Sequence, residues 1–313
     1  MTDTLHEDGI YFGMSDEEYH ADPALGSTGL KKLIGNAPDF WWDSPMNPAR
    51  DDDDDTPAKI FGRQLHMCVL EGVEKFKENH AAYVNPGNVK AGKDEIAAIV
   101  AAGKVPVKFK DYSKILAASA FIKANKTLAR AFEGGQPEVS VFWTVNGIRY
   151  KARFDYLQIN SIVDLKSIEN RSDKEFKQAC RDAMASYDYI VSAGHYSDGR
   201  RQMKGLFRAG KVFGLPEGQE DWLSKVVSNP VFAFVFVFWQ KRARRYRTVS
   251  CCRRVTRYST GPQNELPKPS RTTAYSWASS VQTRHGFHPH HLKRLTRPHS
   301  RSGTSRSLSE RER

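Results

Sequence analysis

The sequence predicts an α/β protein in which helices cover a mixed β-sheet. Apolar residues recur at helical spacing through most of the first 132 residues. The pattern then alternates and becomes rich in β-branched and aromatic residues over 137–158, which is typical of strands. Helical patterns return after this segment, and an apolar run over 229–239 ends the structured part. The order of helices, three strands, helices and a strand is typical of a layered α/β domain.

Two short helices are expected near the start of the chain. Ser15 precedes Glu18 by three residues, the spacing of a capping box in which each side chain satisfies a backbone donor of the other. A second helix is expected to begin at Ser27 or Thr28 and to stop within 35–38.

Longer helices are expected farther along the chain. The run of five aspartates over 51–55 comes first, and we interpret it as a solvated loop. In the first segment, apolar residues follow Pro57 at helical spacing. The two later segments are rich in alanine and lysine, and apolar residues recur in them. Helices are expected over 57–71, 91–103 and 111–132.

The central segment predicts three adjacent antiparallel strands. Asn146-Gly147 divides the alternating stretch and is the strongest two-residue signal for a type I′ hairpin. A turn of a few residues leads to a compact third strand over 161–167. Later elements are expected as a helix beginning near Ser172, a helix over 187–207 and a fully buried strand over 229–239.

The charge is unevenly distributed along the 313 residues, whose formal net charge is +12. Residues 241–313 hold 18 Lys and Arg against 3 Asp and Glu, which leaves 30 basic and 33 acidic residues in 1–240. The basic segment has few large apolar residues, so burial cannot offset its ordering entropy. We therefore expect a folded domain over 1–240 and a basic, largely disordered tail over 241–313.

Composition excludes a small disulfide scaffold and a membrane-spanning protein. The four cysteines lack metal-type or framework spacing, and Cys68 and Cys180 stand alone in helical segments. No apolar run is long enough to span a bilayer, and the acidic start lacks the layout of an export signal. We expect a cytoplasmic protein with reduced thiols and no membrane partner.

The candidate chemistry lies on the second and third strands. Asp155 is near the end of one, and Asp164 and Lys166 are on the next, so antiparallel pairing brings the acids together. Asp164 and Lys166 share a face, whereas Leu165 points to the core and offers its carbonyl. Two carboxylates and a carbonyl suit Mg²⁺, and an ammonium beside them suits metal-assisted phosphodiester hydrolysis.

A structural role for these charges is the alternative interpretation. Asp164 and Lys166 could form a surface ion pair, and Asp155 could be an ordinary acid at a strand end. The position of the charges on a short, otherwise apolar strand favours catalysis, because the desolvation cost is rarely offset in a purely structural site.

Five segments together resemble the exodeoxyribonuclease VIII (RecE-like) type of phage-derived nuclease in the PD-(D/E)XK superfamily. They match in the expected order over about residues 9–238: EYHADPALGSTGLKKLI, GRQLHMCVLEG, EVSVFW with NGIRYKARFDYL, IVDLKS and YDYIVSAGHYSDG. The resemblance implies a restriction-endonuclease-like core and Mg²⁺-dependent digestion of double-stranded DNA from its ends, with Mn²⁺ as a substitute ion. It also implies a RecT-like single-strand annealing protein as partner, and homo-oligomers occur among relatives.

The resemblance assigns roles to individual residues. Asp155 matches the first acid of the family motif, and Asp164 and Lys166 match its D/E-x-K. His66 matches a helical histidine that faces the metal, and Glu138 matches an acidic position that can line the same site. On sequence alone, His66 is more often a core or surface histidine, and Glu138 is a solvent-facing edge residue.

Substrate contacts are also implied by the resemblance. Ser27 and Thr28 correspond to hydroxyls at a helix N-terminus that help to hold a 5′ phosphate, with charge added by Lys31 and Lys32. The alternative is a plain helix cap with solvated lysines. Tyr189 keeps the aromatic spacing of the family and is a candidate substrate-binding residue.

Two departures from the family pattern affect the functional prediction. Tyr196 is retained, but Ser192 stands where a glutamine is usual, and the shorter side chain cannot reach as far. From about residue 239 the sequence becomes strongly basic, whereas members of the resembled family continue into a helix. We interpret this change as a shift out of the ancestral reading frame; the alternative is a true basic arm that binds phosphates.

Two functions from different classes remain open on the sequence. The first is an end-dependent DNA exonuclease, and the second is a catalytically impaired DNA-binding remnant of such an enzyme. A helicase-linked nuclease is disfavoured because the chain has no GxxxxGK[ST] segment.

Overall fold

A mixed β-sheet forms the centre of the computed structural model, which confirms the predicted fold class. The structure describes residues 6–44, 47–50, 56–170, 172, 174–240, 249–256 and 275–279, the last two ranges by their backbone alone. The strands are β1 (Gly9–Tyr11), β2 (His80–Tyr83), β3 (Val105–Lys108), β4 (Gly135–Val145), β5 (Ile148–Gln158), β6 (Ser161–Ile168), β7 (Val212–Phe213), β8 (Phe232–Gln240), β9 (Val249–Thr256) and β10 (Tyr275–Ser279).

Helices flank the sheet on both faces. They are α1 (Asp16–Ala21), α2 (Ser27–Gly35), α3 (Ala37–Trp42), α4 (Pro57–His66), α5 (Val73–Asn79), α6 (Lys90–Ala101), α7 (Phe109–Ala124), α8 (Lys126–Ala129), α9 (Phe176–Ser186), α10 (Tyr189–Arg208) and α11 (Glu220–Ser228). A π-helical segment, Met67–Glu71, continues α4, and a 3-10 turn, Arg130–Phe132, follows α8.

The strand order of the main sheet is β10-β9-β8-β6-β5-β4-β1-β7, and β2 and β3 form a separate parallel pair. The β6–β8 and β1–β7 pairs are parallel, and the other neighbours in the main sheet are antiparallel. The predicted hairpin is confirmed: Asn146 and Gly147 have φ of 52° and 76°, the positive values that a type I′ turn requires.

Two cores lie on opposite faces of the sheet. The upper core packs α9, α10 and α11 on the sheet, and the lower core packs α4, the π-helical segment and α7 beneath it. Strand β8 contributes to both, because its side chains alternate between the two faces, as with Phe236 above and Val237 below. All nine residues of β8 are buried, as the continuous apolar run predicts.

Two strands lie within the tail for which low order is expected. Strand β9 pairs antiparallel with β8, and β10 pairs with β9. Without β9, the long strand β8 would present a row of unpaired backbone groups, and such an edge readily accepts another strand. The remaining residues of the tail and the aspartate run 51–55 lie outside the described residues.

The capping box of α1 is confirmed. The Glu18 N–H donates to Ser15 Oγ at 3.1 Å, and the Ser15 N–H donates to Glu18 Oε2 at 2.9 Å. Helix α2 begins at Ser27 and ends at Gly35, as predicted, but its N-cap is Gly26. Ser27 and Thr28 already belong to its first turn. Leu25 pairs with Tyr150 in an isolated bridge, so extended backbone continues to the residue before the helix.

Replacing Ser15 with alanine is expected to lower the free energy of unfolding by about 1 kcal/mol, because the Glu18 N–H loses its acceptor, the Ser15 Oγ. Urea denaturation measures this change. The control is Ser224→Ala in the exposed middle of α11, for which we expect a change within about 0.5 kcal/mol. Equal destabilisation by the two substitutions would contradict a role for the cap.

Other boundaries differ from the sequence prediction for local reasons. The segment 111–132 does not form one helix, because Asn125 ends α7 and its Oδ1 accepts the N–H groups of Thr127 and Leu128 at the start of α8. Helix α9 begins four residues after Ser172, with Glu175 as its N-cap. The sequence prediction missed several short elements, namely α3, α5, α11, β1, β2, β3 and β7.

Two further sequence features have structural counterparts. Cys68 and Cys180 are buried thiols, as expected. Among the described residues, none of the helices combines the length and the apolar character that crossing a bilayer demands.

Candidate metal centre and active site

Three acidic residues lie in one row across β4, β5 and β6. The β5–β6 ladder ends at the pair Tyr156–Val163, so the next residues, Asp155 and Asp164, face each other where the strands part. Across the other edge of β5, Asp155 is opposite Glu138, because the residues flanking Glu138 pair with those flanking Asp155. The sheet register therefore brings the three predicted acids together.

Strand β5 changes its facing at Asp155. Phe154 packs in the upper core and Tyr156 in the lower core, although residues two apart on a regular strand share a face. The resulting gap between β5 and β6 is bridged by a side chain, since Asp155 Oδ2 accepts the backbone N–H of Leu165 at 2.6 Å. The carboxylate is thereby fixed beside the Asp-x-Lys segment.

His66 lies at the last position of α4 and points to the same place. Its Nε2 is 2.8 Å from the carbonyl oxygen of Leu165, and its Nδ1 is 3.7 Å from Asp155 Oδ2. The imidazole thus stands between the carbonyl and the carboxylate that the sequence analysis assigns to the metal. The π-helical segment begins immediately after His66, and such segments are frequent at functional sites.

Asp164 and Lys166 share a face of β6, as predicted. Lys166 Nζ lies 2.8 Å from Asp164 Oδ2, whereas Leu165 between them is fully buried in the lower core. Burial raises the pKa of Asp164 to about 6; Asp155 adds to this effect, and Lys166 opposes it. Burial lowers the pKa of Lys166, but the two aspartates outweigh it and raise the pKa above the ordinary value. Lys166 is therefore an ammonium at neutral pH.

Glu138 has an unusual backbone conformation for a strand residue. Its φ is 52°, in a region that residues other than glycine rarely adopt, and such strain clusters at functional sites. Burial and the charge of Asp155 raise the pKa of Glu138 well above its ordinary value, and Arg153 opposes them. Glu138 thus lies beside Asp155, where a bound cation would reduce the repulsion between the two carboxylates.

Replacing Glu138 with glutamine is expected to stabilise the metal-free protein, because it removes a carboxylate whose charged form is disfavoured by burial and by Asp155. A raised folded-state pKa means that the wild-type carboxyl group costs stability as pH rises above its unfolded value of about 4.4. The stability difference should therefore grow from about pH 5 to pH 8. Thermal unfolding in EDTA measures it.

The control for this experiment is Glu133→Gln, at an exposed glutamate just before β4. We expect no such growth with pH for the control. A difference that shrinks with rising pH for Glu138→Gln would contradict the placement of Glu138 beside Asp155.

Helices α2 and α10 form a wall beside the Asp-x-Lys segment. Lys31 Nζ is 5.2 Å from the ring centroid of Tyr189, and Lys166 Nζ is 5.6 Å from the same centroid. The Ser27 hydroxyl hydrogen-bonds Tyr196, whose pKa burial raises to about 12. Ser27 and Tyr189 therefore adjoin the site, whereas Thr28 is solvent-exposed on the first turn of α2.

Two other residues of these helices bear on the prediction. Lys32 forms an ion pair with Asp43 and does not add free charge. Ser192, in place of the glutamine usual in the resembled family, is 4% exposed within α10. A buried serine hydroxyl is too short to replace the reach of an amide.

The sequence analysis missed Arg153, which connects Glu138 to the N-terminal helix. Its guanidinium donates to Asp16 Oδ1 at 2.6 Å and to Ser140 Oγ at 2.9 Å, and its Nε is 4.0 Å from Glu138 Oε2. The alternation of β5 could have indicated it, because Arg153 precedes Asp155 by two residues.

Arg200 on α10 was also missed, and it clamps the turn between β5 and β6. Its guanidinium is 3% exposed and donates to three backbone carbonyls, those of Gln158, Ile159 and Ser161. The clamp holds the register that places Asp155 opposite Asp164. No local sequence pattern predicts this contact, because α10 begins 31 residues after the end of β5 and packs against the turn only in the folded structure.

The donor set fits a hard divalent cation. Within the described part of the chain, the two oxygens of Asp164 are buried without a hydrogen-bond partner, and Oδ2 forms an ion pair with the Lys166 ammonium. Among the described residues, no group of three or more His, Cys, Asp or Glu side chains is arranged so that it could hold a metal ion. Mg²⁺ suits such an open arrangement, because it keeps several waters and takes few protein ligands. Asp155, Asp164, the Leu165 carbonyl, His66 and Glu138 are the residues that could hold it.

Comparison with known proteins agrees with this chemistry. A family model described as a PDDEXK-like domain of unknown function matches residues 45–211, a range that contains the whole acidic row, Lys166 and His66. No curated protein matches the chain significantly. A crystal structure of a provisionally named exonuclease from Eubacterium rectale matches with a TM-score of 0.46 and 15% identity, covering 76% of this chain and 77% of that one.

The matched family model spans more than half of the chain, and its range includes Asp164 and Lys166 on β6. The chain belongs to the PDDEXK-like family of unknown function, within the PD-(D/E)XK nuclease superfamily.

Proposed function

We propose that the protein is a Mg²⁺-dependent exodeoxyribonuclease that degrades double-stranded DNA from its ends in phage-type recombination. The observation that carries the proposal is the row of Glu138, Asp155 and Asp164 with the Lys166 ammonium beside it. Acids and an amine at this spacing form the apparatus of metal-assisted phosphodiester hydrolysis. The resemblance to RecE-like nucleases supports the narrower choice of DNA ends.

The residues of the site have separate tasks in this proposal. A bound divalent ion would polarise the scissile phosphate and acidify a water molecule. Asp155 and Asp164 hold opposite walls of the gap between β5 and β6, and the Leu165 N–H keeps the Asp155 carboxylate in place. Lys166 stays protonated beside them, so it can orient the attacking water or offset charge that develops on the phosphate, but it cannot accept a proton.

Two lysines beside Tyr189 and the position of His66 support the same reaction. The ammonium groups of Lys31 and Lys166 both lie over the ring of Tyr189, and two such charges close together favour an anionic ligand. The Nε2–H of His66 donates to the carbonyl oxygen of Leu165, and its Nδ1 faces Asp155 Oδ2. A neutral imidazole in this position is a credible metal ligand.

The proposal is tested by measuring the release of acid-soluble nucleotides from linear duplex DNA and from covalently closed circular duplex DNA. We expect Mg²⁺-dependent release from linear DNA, Mn²⁺ as a functional substitute, no release in EDTA, and resistance of the covalently closed circle. Equal cleavage of both forms would indicate an endonuclease and contradict end dependence. Tight DNA binding without turnover in any divalent salt would favour the impaired remnant.

Partners and assembly remain part of the proposal. A RecT-like annealing protein would receive the strand exposed by digestion, and a homo-oligomer would keep the enzyme on its substrate. Co-purification with a single-strand annealing protein and sedimentation of the isolated chain measure these two expectations.

A further inference from the structure

An exposed aromatic surface lies at the far end of α2 from the candidate active site. Trp41 and Trp42 on α3 are 51% and 59% exposed, and Ile34 at the end of α2 is 71% exposed. We call these three residues the tryptophan surface.

The packing of α3 explains why the indoles point outward. A Cβ built on Gly29 would lie 3.1 Å from Phe40 Cε2, so Phe40 fills the closely packed side of the α2–α3 hairpin. The Asn47 side chain donates to the Trp42 carbonyl oxygen at 3.1 Å and fixes the end of α3. The two tryptophans therefore project from an anchored element.

Helix α2 runs from the candidate active site to the tryptophan surface. Its first residue, Ser27, hydrogen-bonds Tyr196, and its Lys31 stands over Tyr189 next to Lys166. Nine helical residues span about 13 Å at 1.5 Å per residue. A strand leaving the site along α2 would pass Lys31 and reach the tryptophans after a few nucleotides.

The charges along this path suit a polyanion. Among the described residues, no carboxylate lies within ion-pair distance of Lys31, and the neighbouring Lys32 is neutralised by Asp43. A positive group followed by exposed aromatic rings is the combination that binds single-stranded nucleic acid, in which bases stack on the rings and phosphates meet the cations.

We propose that Trp41 and Trp42 form a stacking surface for the unpaired bases of a nucleic-acid strand that runs from the candidate active site along α2. The proposal rests on the proposed nuclease function and names the single-stranded part of its substrate. Stacking depends on a π-face and not on base identity, so the surface binds without sequence preference.

Fluorescence anisotropy of a labelled oligothymidylate with the full chain in EDTA tests the proposal, since no cleavage occurs there. We expect the double substitution Trp41→Ala with Trp42→Ala to weaken binding about tenfold or more. The Trp41→Tyr, Trp42→Tyr variant should restore most of the affinity, because tyrosine also stacks. The control is Phe109→Ala, which removes another exposed aromatic side chain at the start of α7 and should leave binding unchanged.

The outcomes separate this proposal from the nuclease assignment. If wild-type protein digests linear duplex but the alanine variant binds oligothymidylate as tightly as wild type, the stacking surface is wrong and the nuclease stands. If wild-type protein digests no DNA, the nuclease proposal is wrong, and the anisotropy experiment by itself tests the stacking surface. Unchanged binding together with lost self-association in sedimentation would overturn the proposal and assign the tryptophans to a contact between protein chains.

Discussion

Lys166→Ala is expected to lower the rate of phosphodiester cleavage about 10²–10³-fold while leaving the fold intact. The side chain supplies an ammonium that pairs with Asp164 at 2.8 Å, and removing a preorganised charge aimed at the reacting group has an effect of this size. Without Lys166, burial and Asp155 raise the pKa of Asp164 further, which weakens its ability to hold a cation at neutral pH. Initial rates on linear duplex at saturating Mg²⁺ measure the effect.

The matched control is Lys110→Ala, at an exposed lysine in the first turn of α7. We expect its rate to remain within about twofold of wild type, because its charge lies outside the site and is screened by salt. Circular dichroism establishes that both variants are folded. Comparable rates for wild type and Lys166→Ala would remove the lysine from the mechanism.

Phe236→Ala is expected to lower the free energy of unfolding by about 3–5 kcal/mol, the cost of deleting a buried aromatic ring and leaving a cavity. Phe236 is 1% exposed on β8, pairs in register with Asp164 of β6, and stacks on Tyr189 at 5.8 Å between ring centroids. The substitution therefore removes the ring that packs against Tyr189 beside the candidate active site, and it also leaves a cavity in the core. Urea denaturation measures the change.

Phe109→Ala is the control, since the same atoms are removed from a side chain that is 56% exposed. Its expected effect is within about 0.5 kcal/mol. A loss below about 1 kcal/mol for Phe236→Ala would mean that β8 is not the buried central strand that the structure describes.

The strands could be predicted from the sequence because their signals are local. Asn146-Gly147 requires positive φ at both positions, and the apolar run at the end of the folded part can be buried on both faces. The short elements were missed because two to nine residues carry too little periodicity to distinguish them from loops. The cap of α2 was misplaced because Leu25 pairs with β5, a contact far away in sequence.

The acidic row could be predicted in outline, because a short turn between antiparallel strands determines which residues face each other. Asp155 and Asp164 are opposed, as the sequence analysis expects. The strain at Glu138 and the His66 contact with Leu165 depend on the sheet parting and on the docking of α4, and neither has a sequence signal. Arg153 and Arg200 likewise act through tertiary contacts with distant backbone.

Mn²⁺ binding followed by electron paramagnetic resonance tests the central claim most directly, because the free ion gives a signal that is lost on binding. We predict that wild-type protein removes free Mn²⁺ with saturable stoichiometry, and that Asp155→Asn and Asp164→Asn each weaken binding at least about tenfold, while Asp182→Asn on the exposed face of α9 does not. Equal Mn²⁺ binding by wild type and both site variants would contradict a metal centre between β5 and β6.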